Sequence, residues 1–246
     1  MTEAWVAILL CGLYPLVRLC RSCRESTLRH PAGWAVAAWL GGVLAAAFDP
    51  APTLLYLALC LTACAGVAVL GARRPGAAAW HLVVAGLLAT LLLPVWQGLG
   101  ELRLQPEHLV FLAVTLVVGI GNYLPTRQAP AAILLLAFCG AELMRLADLL
   151  PPDRLPLWPV LAAVPWLALA LARPPQASLD GIWRTFRDSY GFLWAQRCRD
   201  QFNRAAENAG LPARLGWSGL DRPLDPADAA RAMALLEAVL QRFREE

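Results

Sequence analysis

The chain has 246 residues, 59% of them hydrophobic and only 16% charged, with a mean hydropathy of +0.53. That apolar excess is more than a soluble domain carries and has to be buried in lipid. All 21 basic residues are arginine, so no lysine is available for a Schiff base to retinal or pyridoxal phosphate.

Apolar runs bounded by Pro, Gly and charge fall at 4 to 20, 32 to 48, 53 to 71, 77 to 97, 107 to 124, 130 to 149 and 156 to 172. They predict an all-α, polytopic bundle of about seven transmembrane helices, several at the short end for crossing roughly 30 Å of hydrocarbon. The first run has no basic segment before it and further spans after it, so it reads as a retained helix and not as a cleaved signal. Leu61-Thr62-Ala63-Cys64 looks like a lipoprotein cleavage box but lies inside the third run, where it is a chance match. Asp49-Pro50-Ala51-Pro52 ends the second run and starts the third, which predicts a tight hairpin.

Arginines sort the loops. Arg18, Arg21, Arg24 and Arg29 follow the first run, Arg73 and Arg74 the third, Arg127 the fifth and Arg173 the seventh. The intervening loops hold Asp49, then Glu101, Arg103 and Glu107, then Asp153 and Arg154. An excess of arginine on every second loop predicts an outside N-terminus and a cytoplasmic C-terminus. The same pattern accounts for the net charge of +3, which therefore gives no separate support to nucleic-acid binding. Trp5, Trp34, Trp80, Trp96 and Trp158 sit near the ends of runs, where indoles anchor at the headgroups.

The membrane part is read as 1 to 173 and a cytoplasmic tail as 174 to 246. After Arg173-Pro174-Pro175, the spacing of Ile182, Phe186, Tyr190, Leu193, Trp194, Cys198, Phe202, Ala205 and Ala209 predicts one long amphipathic helix. Arg184, Arg187, Asp188, Arg199, Asp200, Arg204 and Glu207 largely occupy its other faces. A second helix starts with Asp225 as N-cap and Pro226 at the first helical position, and buries Ala229, Met233, Leu236, Leu240 and Phe243. A short connector around Leu215-Gly216-Trp217 would make the two a helical hairpin. It either docks on the ends of the spans or lies on the membrane with Trp183 and Trp194 at the headgroups.

Few residues in the chain suggest chemistry. Glu142, Arg145 and Asp148 step by three along the sixth run beside Cys139. Ionisable groups at such depth are costly and point to function by default, although Arg145 can pair with either carboxylate. Cys20 and Cys23 form a single C-x-x-C among arginines that would favour thiolates, without the second half of a zinc site. His81 is expected near Asn122 and Tyr123 as an interfacial hydrogen bond, and no two histidines share a depth on facing helices as a b-type haem requires. No cofactor or metal motif is present, and all five serines, Ser22, Ser26, Ser178, Ser189 and Ser218, fall outside the runs, so an intramembrane serine nucleophile is excluded.

These observations predict a multi-pass membrane protein, and a composition without lysine but rich in Arg, Ala, Leu, Gly and Pro points to a bacterial inner membrane. Its expected partners are the lipid bilayer and a protein docked on the tail. The leading expectation is a structural or assembly component presenting the cytoplasmic hairpin. The alternative is a transporter, or a membrane-embedded enzyme acting on lipid, that uses the polar stripe of the sixth run; whether the chain is an enzyme, and which residues would be catalytic, stays open.

Overall fold

The computed structural model describes residues 2–48, 51–73, 77–98, 102, 104–151, 157–174 and 176–244, and these are all-helical apart from loops and two isolated β-bridges. The first apolar run is α1 (Thr2–Cys11) and α2 (Leu13–Ser22). The helix is interrupted only at Gly12, whose backbone stays in the right-handed helical region. Pro15 offers no N–H to the preceding turn, and Trp39 Nε1 donates to the Leu9 carbonyl at 3.1 Å. There follow α3 (Arg29–Ala47), α4 (Pro52–Leu70), α5 (Ala77–Leu91) with its short continuation α6 (Leu93–Gln97), α7 (Pro106–Gly121), α8 (Ala129–Leu146) and α9 (Trp158–Leu171).

Among the described residues, three helical segments have the length and hydropathy to cross a membrane: Glu3–Ser22, Pro52–Leu70 and Ala129–Leu146. Ala79–Leu91, Pro106–Gly121 and Trp158–Leu171 are apolar but shorter. The α3–α4 pair packs closely, with Pro52 in the first turn of α4; Asp49 and Pro50 of the expected turn lie outside the described residues. So do Arg74, Glu101, Arg103, Asp153, Arg154 and Pro175.

Small residues bring the helices together. A Cβ on Gly66 of α4 would stand 2.8 Å from the Gly119 Cα of α7, so the two backbones touch where they cross, as polar-free helix packing in lipid favours. Tyr56 on α4 donates to the Leu91 carbonyl at 2.7 Å, at the break between α5 and α6. One apolar core fills this bundle, from Leu9 and Trp39 through Tyr56, Leu59 and Leu112 to Phe138 and Leu161. Two of the tryptophans near run ends pack within it: Trp158 is buried against Phe138, and Trp80 donates to the Val67 carbonyl and lies over Gly71. Trp96 stays exposed.

A second core lies around α10 (Leu179–Asn208) and α11 (Pro226–Leu240), which pack on each other. Ser178 caps α10 by accepting from Gly181 N–H, and Asp225 caps α11 by accepting from Asp228 N–H at 2.8 Å, with Pro226 in the first turn. Phe186, Tyr190 and Trp194 each pack a ring against Phe243, with centroids 4.6 to 5.2 Å apart within this aromatic group. Trp183 is fully buried. The tryptophans expected as headgroup anchors of the tail are therefore core residues. The connector is longer than a tight turn and carries the Leu215–Leu220 bridge.

The sequence predicts one continuous helix over 182 to 209, and the structure breaks it. Gly191 has φ +79° and ψ −172°, so α10 is two helical segments joined at a kink.

Candidate functional site

The break at Gly191 is where the second core meets the first. A kink exposes backbone groups that must find partners. One residue supplies them: Asn122, just past the end of α7. Its Nδ2 donates to the Tyr190 carbonyl at 3.1 Å, its Oδ1 accepts from Leu193 N–H at 2.9 Å, and its backbone carbonyl accepts from Phe192 N–H at 2.7 Å. A Cβ on residue 191 would collide with the Asn122 amide, and the dihedrals belong to a region that is essentially glycine-only. Gly191→Ala is expected to destabilise this junction by about 1–3 kcal/mol from backbone strain alone, read as a lower unfolding temperature in detergent. Unchanged stability would mean that the break is not required.

Next to this clamp stands a buried ion-pair node. Asp188 and Arg187 are each 7% exposed. Arg187 Nη2 lies 2.8 Å from Asp188 Oδ1, Arg173 Nε lies 3.0 Å from Oδ2, and Arg127 backbone N–H donates to Oδ1 at 3.2 Å. Both residues were expected on the solvated faces of the helix; tertiary partners bury them instead. Arg187 also donates to the Trp217 carbonyl at 2.7 Å and lies over its ring, while Trp217 Nε1 donates to the Pro125 carbonyl.

A third set of bonds centres on Thr27. Its hydroxyl donates to the Ala72 carbonyl at 2.8 Å and lies 3.1 Å from the Tyr190 hydroxyl, which donates to the Phe243 carbonyl. Burial pushes the Tyr190 phenol up to about 12, against a smaller opposing effect of the Thr27 hydrogen bond, so it stays a donor at neutral pH. Trp194 Nε1 donates to the Val69 carbonyl in the last turn of α4. Leu28, Val69 and Ala72 complete the apolar core of the tail.

The polar stripe of α8 is arranged differently from expectation in part. Glu142 is 2% exposed and its Oε1 lies 3.2 Å from Arg145 Nη1, an ion pair one turn apart. Asp148 does not join them. It is exposed, adopts φ +56° just past the helix, and lets Leu149 N–H reach back to the Met144 carbonyl. Its role is to end α8, since Asp tolerates the left-handed conformation better than most residues. The helix stops at Leu146, so Glu142 lies one turn from its end.

The remaining candidates separate. His81 meets His30 edge-on with ring centroids 4.3 Å apart, while Asn122 is committed to α10, so the expected His81–Asn122 bond is not formed. The sequence placed His30 in a loop and at no shared depth with another histidine; it lies in the first turn of α3. The rings touch directly, without the gap that two axial ligands need for a planar macrocycle between them. His108 caps α7, its Nδ1 accepting from Gln105 N–H. Among the described residues no three His, Cys, Asp or Glu side chains converge as metal ligands. Cys20 donates weakly to the Ala32 carbonyl. Cys23 is partly buried, and that burial pushes its thiol up, with nearby Cys20 adding and a Ser22 hydrogen bond opposing. At Cys23 burial works against the thiolate that the surrounding arginines suggest.

No family model, curated protein or solved structure matches the chain. The geometry is thus the basis for any functional reading.

Proposed function

We propose that the chain is a multi-pass protein of a bacterial inner membrane, with seven spans, an outside N-terminus and a cytoplasmic C-terminal unit, and that it serves as a structural or assembly component presenting that unit as a rigid platform. One observation carries the reading. Residues 179 to 243 bond at four separate loops: to Thr27 after α2, to Val69 where α4 runs into its loop, to the Asn122 to Arg127 segment after α7, and to Arg173 after α9. Two apolar stretches separate each of these loops from the next, as expected if the chain returns to one side after every pair of crossings. They are also the loops that hold the excess arginine, which supports placing them in the cytoplasm.

The contact favours a scaffold over a moving machine. A unit tied to the ends of most of the bundle by buried bonds restrains relative motion of the helices. Among the described residues no three His, Cys, Asp or Glu side chains of the unit converge as metal ligands.

A reporter active only in the cytoplasm is expected to work when fused after Glu246 and to fail when fused before Met1; the opposite pattern overturns the topology. Purification in mild detergent is expected to bring down a stoichiometric protein partner that is lost when the tail is removed. A partner-free protein that moves a solute across vesicles, dependent on Glu142, would overturn the assembly role.

A further inference from the structure

Two arginines converge on one tryptophan at the border between the two cores. The guanidinium of Arg73, just after α4, lies 5.9 Å from the ring centroid of Trp194, and that of Arg197 lies 5.3 Å from it. Trp194 is in turn bonded to the Val69 carbonyl, one residue before the end of a helix long and apolar enough to cross a membrane. The two cations therefore sit within about a turn of where that span ends.

Neither guanidinium meets a carboxylate among the described residues. Asp200, one turn beyond Arg197, is engaged by Gln196 and Arg199. Stacking on an indole occupies the face of a guanidinium and leaves its N–H edge for an acceptor. Two like charges held on one ring repel each other unless an anion sits between or beside them.

Apolar surface adjoins the pair. Leu193 is 41% exposed. Leu193 lies four residues before Arg197, which puts both on one side of α10. The Gly191 kink and the Asn122 bonds hold this end of the helix segment against the end of α7. A cationic pair next to an exposed leucine, at the mouth of the bilayer, matches an amphiphile with an anionic head.

We propose that Arg73 and Arg197, lying over Trp194, bind the phosphate of an anionic phospholipid, with Leu193 against the start of its acyl chains. The site rests on the membrane reading given above. It would lock the C-terminal unit to the leaflet as well as to the bundle, and it explains why these arginines meet no carboxylate among the described residues. Each guanidinium supplies charge-assisted hydrogen bonds to phosphate oxygens.

The test uses the full-length protein in mild detergent, with short-chain phosphatidylglycerol, phosphatidylcholine of the same chain length, and inorganic phosphate as probes of thermal stability. Phosphatidylglycerol is expected to raise the unfolding temperature, and phosphatidylcholine and phosphate at equal concentration to leave it unchanged. Arg73→Gln and Arg197→Gln are each expected to weaken the phosphatidylglycerol effect about tenfold in concentration, the loss of one charge-assisted contact. Arg197 is exposed, so Arg197→Gln tests the site without burdening the fold. Equal response of wild type and both variants overturns the site, and so does an equal shift by inorganic phosphate or phosphatidylcholine. Failure of the membrane reading is seen separately, as a protein that stays dispersed and monomeric without detergent.

Discussion

Replacing Asp188 by alanine is expected to lower the stability of the junction between the bundle and the C-terminal helices by about 3–5 kcal/mol, the usual cost of removing one member of a buried ion pair. The carboxylate holds the Arg187 and Arg173 guanidiniums and the Arg127 amide at once. Truncation leaves buried Arg187 without its anion and frees a backbone donor in the same step. Asp188→Asn keeps an acceptor for the Arg127 N–H and loses less. Limited proteolysis in detergent reads the effect, because a loosened tail becomes accessible to cleavage between Arg173 and Leu179 while the apolar bundle stays intact. Unchanged resistance in Asp188→Ala would show that the aromatic core alone holds the tail in place.

The parts legible in the sequence are those set by local pattern. Every apolar run is helical in the structure, and Asp225-Pro226 starts α11 as its residue types predict. The apolar stripe of the tail is buried at Phe186, Tyr190, Trp194, Cys198 and Phe202 on α10 and at Leu236, Leu240 and Phe243 after the connector. What the pattern missed came from contacts between distant segments. The three- and four-residue steps of α10 run straight through residue 191, so periodicity gives no sign of a break there. The signal was the glycine itself, which costs a helix interior more than most residues and calls for a reason when it stands there.

Asp188 illustrates the same limit. An Asp next to an Arg on a helix that is polar on one side reads as solvated, and nothing nearby in sequence announces Arg173 or the Arg127 amide. Asn122 reads as a polar residue at the end of an apolar run, which is where it is; its partners lie on α10 and not at His81, because sequence distance does not rank contacts between helices. Thr27 and Trp217 had no signal beyond being a hydroxyl and an indole in loops. A seam between cores is built from such residues: each is ordinary alone, and only tertiary structure brings them together.

Glu142 and Arg145 are the pair whose replacement bears most on the function of the bundle. Glu142 is buried on α8, which packs against α4, α7 and α9, and its carboxylate lies 3.2 Å from Arg145. Charges in an apolar bundle are retained either for the fold or for a ligand. If the pair is structural, Glu142→Gln deprives the Arg145 guanidinium of a carboxylate in a low-dielectric setting and is expected to cost about 3–5 kcal/mol. Arg145→Met alone is expected to cost a similar amount by removing the cation beside the buried Glu142 carboxylate. The double variant Glu142→Gln with Arg145→Met removes both charges together and is expected to recover most of the loss, since groups in direct contact couple strongly. A ligand site gives another result: Glu142→Gln keeps the unfolding temperature of the wild type and loses binding or transport. Thermal unfolding of the two single variants and the double in one detergent separates the cases. Recovery in the double variant supports the structural pair and with it the scaffold reading. Additive losses show that each charge is held independently, and the buried carboxylate then has to be explained by what it binds.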